Sequence, residues 1–279
     1  MKTAILVVSF GTSYEDTLKK NIAALENDIK ECFGDYEVRR AFTSGFIINK
    51  LKTKMNIEID NVETALDKLS NEGYEKVICQ PTHIMNGFEY EKFVKMAESK
   101  RHLFKDIVIG EPLLFGTEDN QNIVDCLKNE FKEYKESAIV FMGHGTEHPS
   151  NSIYAAIDYM MKDRGFENGF MGTVEGYPEI ESVVNTVKRN EYKNIILTPF
   201  MLVAGDHANN DMTGEEDSWE NIFINQGFNV KCIVKGLGEY KSIRNLYIDK
   251  LKKLIKYKFY ITIILNIAQI YRHNHILLL

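Results

Sequence analysis

Residues 4–12, AILVVSFGT, align without a gap on residues 138–146, AIVFMGHGT. Each is an apolar run that closes on Gly-Thr, and an unbroken apolar run reads as a strand covered on both faces, as in a parallel sheet. A second correspondence follows in the same order. Pro81, Gly87 and Glu89 have the spacing of Pro199, Gly205 and His207. Two ordered matches predict an α/β fold of two similar domains, each a parallel sheet flanked by helices, related by internal duplication. The expected halves are residues 1–125 and 126–258, with the second carrying the chemistry.

Outward from the first strand, Thr12-Ser13 offers a helix N-cap ahead of Leu18, Ile22, Leu25 and Ile29 at helical spacing. Residues 36–42 alternate like a strand, and Thr43-Ser44-Gly45 opens a helix. Residues 62–69 form an amphipathic helix stopped by Gly73, residues 77–81 a buried strand, and 83–87 the loop after it. Residues 89–99 read as helix, 107–109 as strand and 120–134 as helix, and the pattern then restarts.

Composition narrows the function. The 279 residues are 44% hydrophobic and 27% charged, ordinary for a globular protein. With 34 Lys+Arg against 40 Asp+Glu the net charge is -6, and no basic block stands out, which argues against a nucleic-acid partner. Cys32, Cys79, Cys126 and Cys232 form no C-x-x-C pair, against a zinc knuckle, an iron–sulfur cluster or a disulfide framework. They fit a reducing compartment, and with no signal-peptide pattern at Met1-Lys2-Thr3 a cytoplasmic location is expected. No G-x-x-x-x-G-K-[ST], G-x-G-x-x-G or G-x-S-x-G string occurs, so neither a nucleotide site nor a serine-hydrolase elbow has support.

Candidate chemistry gathers after the strands of the second half. In TPFMLVAGDHANNDM, residues 198–212, the polar residues Asp206, His207, Asn209, Asn210 and Asp211 arrive together behind Gly205. The ends of parallel strands are where open α/β sheets bind ligands. His207 reads as a metal- or proton-handling residue oriented by its neighbours, or as part of a capping cluster for the helix that carries Trp219. His144, between Gly143 and Gly145, has an open backbone for a flat ligand; the competing reading is a histidine bonded locally in a tight turn. Glu175 either completes a His/His/Glu set for a borderline divalent metal or stabilises a helix N-terminus near Pro178. If the halves face each other, Phe10 lies opposite His144 and Glu89 opposite His207. His83 is expected to be a hydrogen-bonded structural residue and His148 to be exposed. Arg39, Arg40, Lys50, Lys52 and Lys54 form a basic group, read either as a rim for substrate carboxylates or as a solvated face. Arg39 and Arg40, adjacent on a strand, cannot point the same way.

Taken together, Leu6-Val7-Val8-Ser9-Phe10-Gly11-Thr12-Ser13, Arg40-Ala41-Phe42-Thr43-Ser44-Gly45, Gly87-Phe88-Glu89-Tyr90-Glu91-Lys92, Phe141-Met142-Gly143-His144-Gly145, Val174-Glu175-Gly176-Tyr177-Pro178 and Met201-Leu202-Val203-Ala204-Gly205-Asp206-His207-Ala208 resemble the sirohydrochlorin cobaltochelatases of the CbiK type, class II chelatases of anaerobic cobalamin biosynthesis. They run in family order from residue 4 to about 240. The resemblance implies two α/β domains around a tetrapyrrole cleft. It also implies insertion of Co²⁺ into sirohydrochlorin, with release of two protons and no nucleotide. His144, Glu175 and His207 match the family's metal-binding and catalytic set, and Phe10, Gly11, Thr12 and Glu89 fall in the tetrapyrrole cleft. The alternatives are a chelatase for Fe²⁺ or Ni²⁺, or a tetrapyrrole or metal carrier without turnover. A homo-oligomer is compatible with all of these.

Residues 259–279, FYITIILNIAQIYRHNHILLL, depart from the pattern. They lack an acidic residue, and their apolar run 261–270 is broken by Asn266 and Gln269. That run is too short for a comfortable span, so the segment is expected to stand outside the fold, without stable membrane association.

Overall fold

The computed structural model describes residues 2–256. The expectations for residues 259–279 lie outside the described residues. In the first half β1 (Thr3–Ser9), β2 (Glu37–Phe42), β3 (Lys76–Pro81) and β4 (Asp106–Ile109) form a sheet in the order β2-β1-β3-β4. In the second, β5 (Ala138–Gly143), β6 (Gly169–Thr173), β7 (Asn194–Pro199) and β8 (Asn229–Cys232) form a sheet in the order β6-β5-β7-β8. Every pairing is parallel, and the two orders correspond strand for strand. The helices are α1 (Glu15–Thr17), α2 (Ala24–Cys32), α3 (Gly45–Met55), α4 (Val62–Asn71), α5 (Phe88–Ser99), α6 (Thr117–Glu130), α7 (Ser152–Asp163), α8 (Ile180–Arg189) and α9 (Trp219–Asn225), with a further helix over 241–256.

The continuous apolar runs follow from burial on both faces. Ala4, Leu6 and Val8 of β1 pack with Leu66 and Leu69 of α4 and Phe93 of α5. Ala138, Val140 and Met142 of β5 pack with Val183 and Val187 of α8 and with Trp219 and Phe223 of α9. The intervening residues, Ile5, Val7, Ile139 and Phe141, meet in one core shared by both sheets. Alternate side chains of a strand point to opposite faces, so a one-residue slip would exchange these cores. Each buried Leu, Ile, Val or Phe stabilises by roughly 1.5–3 kcal/mol, which makes the register costly to change.

The shared core also takes Leu25 and Ile29 of α2, Ile123 and Leu127 of α6, and Ile157 and Met161 of α7. Ile243, Tyr247 and Leu251 of the last helix join them. That helix follows the second half in sequence but reaches the first. Tyr247 donates its hydroxyl to the carbonyl of Thr82 at 2.9 Å, and Lys241 and Arg244 both hold the carboxylate of Asp28. Position 125 lies within α6, so the chain crosses between the halves through a helix of the common core.

Local capping is legible where the sequence is explicit. Ser44 accepts from the amide of Ile47 to start α3, and Asn61 accepts from that of Thr64 to start α4. The helix expected from Thr12-Ser13 is different. It begins at Glu15 after Tyr14, without a side-chain cap, and runs through a π-helical stretch, Leu18–Ala23, before α2. Thr12 instead accepts from the amide of Tyr14, which spends its hydroxyl on the turn. The helix expected over 120–134 occupies Thr117–Glu130. No helix among the described residues is long and apolar enough to cross a membrane.

Candidate active site

A cleft of about 700 Å³ opens at the carboxyl ends of the strands. The loops after β1, β3, β5, β6 and β7 all reach it, contributing Phe10, His83, His144, Glu175 and His207 among others. This is where the loops of parallel sheets converge by construction.

His144 follows β5 directly. Gly145 has φ +83°, and a Cβ there would lie 2.6 Å from the carbonyl carbon of Glu175 and 2.8 Å from the amide nitrogen of Gly176. Only glycine lets the β5 and β6 loops come so close. The contact is fixed by two backbone bonds, Val174 N–H to Gly143 O at 3.0 Å and Glu175 N–H to His144 O at 2.8 Å. The Glu175 carboxylate thereby lies 3.7 Å from His144 Nδ1. Glu175 stands ahead of α8, whose first residue is Ile180 and whose N-cap is Glu179, so it is not the terminal carboxylate of that helix.

His207 leads into a second π-helical stretch, Ala208–Met212. That turn brings Asp211 back onto the ring, and His207 Nδ1 donates to Asp211 Oδ2 at 2.6 Å. The polar cluster does not start the Trp219 helix, because Ser218 caps α9 through the amide of Asn221. On His144, Nδ1 lies 2.8 Å from the carbonyl of Gly145. A carbonyl only accepts, so Nδ1 carries the proton in the neutral ring and Nε2 keeps its lone pair. The same holds for His207 against the Asp211 carboxylate. Each ring thus keeps an Nε2 lone pair that a metal could take, with its other nitrogen fixed as ligating histidines require.

The two rings meet edge to face with centroids 4.3 Å apart. One donor atom from each of His144, Glu175 and His207 lies within 4.8 Å of the other two. Two nitrogens and one carboxylate oxygen suit a borderline divalent cation. The three side chains remain partly exposed, at 46%, 58% and 33%, so a metal and a larger ligand can both reach them.

The other expected cleft residues, Phe10, Gly11, Thr12 and Glu89, line the same cavity. Glu89 accepts from the Thr43 hydroxyl at 2.9 Å and pairs with Lys92 at 3.5 Å. His83 also lines the cleft, but contrary to expectation neither ring nitrogen has a hydrogen-bond partner among the described residues. His148 is half-buried rather than exposed; Nδ1 meets Ser150 at 2.9 Å, Nε2 meets Glu91 at 3.4 Å, and the ring stands edge-on to Phe88. Arg39 is held by Glu37 and Glu72 and Arg40 by Glu26, so neither is free to receive substrate, and they do face opposite ways. Lys52 pairs with Glu58, while Lys50 sits near the rings of Tyr14 and Phe46. Sequence reasoning missed Tyr14, whose hydroxyl donates to Asp206 across the cleft edge. Nothing in a tyrosine two residues past Gly-Thr signals a partner so distant in sequence.

A model of the cobalt chelatase (CbiK) family matches residues 3–256. The sirohydrochlorin cobaltochelatase of Salmonella typhimurium is 40% identical over 257 residues, covering 91% of this chain and 97% of that one. The sirohydrochlorin cobaltochelatase CbiKC of Nitratidesulfovibrio vulgaris is 29% identical over 255 residues, with 90% and 89% covered. Among solved structures, SirB from Bacillus subtilis with Fe³⁺ superposes with a TM-score of 0.62 at 13% identity, covering 91% of this chain and 96% of that one. At that identity the likeness concerns the fold.

Proposed function

The chain belongs to the cobalt chelatase (CbiK) family, and from that premise we propose that it inserts Co²⁺ into sirohydrochlorin at His144, Glu175 and His207. The observation that carries the assignment of residues is the convergence of two imidazoles and one carboxylate within 4.8 Å on the wall of the interdomain cleft. Insertion exchanges one divalent cation for the two pyrrole N–H protons of the macrocycle, so charge balances without a nucleotide.

The residues divide that work. Nε2 of His144 and Nε2 of His207 hold the incoming Co²⁺, and the ions' exchange between ligands stays feasible because the site has few protein donors and is open to solvent. As Co²⁺ leaves one imidazole for the macrocycle, the freed Nε2 of that ring takes a pyrrole proton, since a neutral histidine with its lone pair open is a competent acceptor near neutral pH. Glu175 offsets the metal's charge and receives protons on their way to solvent. Asp211 keeps the His207 ring in register. The N,N,O donor set discriminates weakly among late divalent ions, so Fe²⁺ and Ni²⁺ are also inserted when supplied.

The test is anaerobic incubation with sirohydrochlorin and Co²⁺, then separately Fe²⁺ and Ni²⁺, following the absorption spectrum. Cobalt insertion well above the rate without enzyme, lost in His144→Ala and in His207→Ala, supports the reading. Saturable binding of one tetrapyrrole per chain with no metallated product would make the protein a carrier instead.

A further inference from the structure

His83 stands in the wall of the cleft contributed by the first half, two residues past the end of β3. Its backbone is held firmly. The carbonyl of His83 accepts from the amide of Leu113 at 2.9 Å and that of Ile84 from Leu114 at 2.7 Å, while Thr82 is tied to Ser9 and to Tyr247. The ring stacks on Phe93, with centroids 6.1 Å apart and planes 10° from parallel, and meets Tyr90 edge to face. Within this aromatic setting neither Nδ1 nor Nε2 has a hydrogen-bond partner among the described residues, and both are shielded from solvent.

A buried N–H and a buried lone pair without partners each weaken the fold. Burial, assisted by the charge of Lys92, pushes the imidazolium pKa down to about 4, so the ring is neutral at ordinary pH. A neutral imidazole always presents one donor and one acceptor. An apolar residue such as phenylalanine would extend the stack on Phe93 and carry no such cost. The group is therefore out of place as packing, and it stands in the wall of a ligand cavity.

We propose that His83 is a substrate-positioning residue: its neutral imidazole hydrogen-bonds the tetrapyrrole, directly or through one water, from the half opposite the His144–Glu175–His207 cluster. A half-turn about Cβ–Cγ exchanges the nitrogen and carbon edges of the ring while keeping its plane, and hence the stack. The macrocycle supplies both complements, carboxylates and pyrrole N–H groups. Binding then satisfies a group that the free protein leaves unsatisfied, and the macrocycle is fixed from both sides. This inference rests on the chelatase reading for the identity of the ligand.

The experiment compares wild type, His83→Phe and His83→Gln in three measurements: titration of metal-free sirohydrochlorin by absorbance, KM for Co²⁺ at saturating tetrapyrrole, and thermal unfolding. His83→Phe should weaken tetrapyrrole binding about tenfold, the equivalent of about 1.4 kcal/mol. It should leave the KM for Co²⁺ within twofold and leave Tm unchanged or raised. His83→Gln, which keeps a donor and an acceptor, should recover part of the affinity. Unchanged tetrapyrrole affinity in His83→Phe overturns the proposal, and so does a fall in Tm with unaltered binding, which is what a structural histidine would give. If His83→Phe fails to fold, His83→Leu, which also lacks donor and acceptor, is measured in its place: tetrapyrrole affinity within twofold of wild type rejects the role. Wild type that binds sirohydrochlorin without metallating it would fail the chelatase reading alone and leave the His83 result standing.

Discussion

His207 Nδ1 lies 2.6 Å from Asp211 Oδ2, four residues further along the same helical turn. The pair stands at the π-helical stretch Ala208–Met212, and such wide turns are commonly found at functional sites. Asp211 presents no donor to the cluster itself; it selects which nitrogen of His207 faces the cleft. Asp211→Ala is expected to weaken Co²⁺ binding by roughly 10–100-fold, the usual effect of removing such a partner. Competition with a chromophoric chelator measures it, and an affinity within twofold of wild type would show that the ring is held by something else.

Gly145 joins the two loops that bring His144 to Glu175. Its φ of +83° costs a side-chain-bearing residue roughly 1–3 kcal/mol, and the added Cβ would collide with the backbone of Glu175 and Gly176. Gly145→Ala should therefore abolish cobalt insertion and lower Tm, while near-ultraviolet signals from the first half persist. Full activity in this variant would mean that the close approach of the two loops is not what assembles the cluster.

Asp28 ties the last helix to the first half. Burial alone would raise its carboxyl pKa, but the hydrogen bonds and charges of Lys241 and Arg244 outweigh burial and hold it below 3.8. A carboxylate depressed in the folded state contributes stability that is complete above its unfolded pKa and is lost as pH falls through the folded one. Asp28→Asn should then be less stable than wild type at pH 7, and the gap should narrow once the pH drops below about 3.8. Urea unfolding of both proteins at pH 7 and pH 3 checks the sign. A gap that widens in acid would contradict it.

The elements that the sequence made legible are those whose chemistry is local. The apolar runs at residues 4–10 and 138–142 mark the central strands, because burial on both faces leaves no room for polar alternation. Ser44 and Asn61 announce helix starts, since a cap needs only a partner three residues away. His144 and His207 were visible as imidazoles at strand ends, and their gathering with Glu175 is now a matter of distance. The π-helical stretches were not visible, because their hydrophobic spacing resembles that of an α-helix. Nor was the fate of Arg39 and Arg40, which depends on Glu72 and Glu26. The lone state of His83 follows from what surrounds it in three dimensions, and no neighbour in sequence reveals that.

Tyr14 supplies the last prediction. Its hydroxyl donates to Asp206, the residue before His207, and so links the β1 loop of the first half to the His207 loop of the second. The hydrogen bond to the Asp206 carboxylate, with burial and the carboxylate's charge adding to it, raises the phenol pKa above 10.0. The link therefore stays intact from pH 6 to 9. The pair is exposed, so water competes for it and its removal costs less than a buried charged bond would. Tyr14→Phe keeps the ring that lines the cleft and removes only the hydroxyl. Loosening the loop that carries His207 should lower kcat for cobalt insertion by about threefold to tenfold, on the order of 1 kcal/mol. The KM for Co²⁺ should stay within twofold, because both imidazoles and Glu175 remain. The ratio to wild type should be flat from pH 6 to 9, since the raised phenol of Tyr14 keeps its proton there. A ratio that changes with pH in that window, or a kcat equal to wild type, would show that the Tyr14–Asp206 bond does not position the His207 loop.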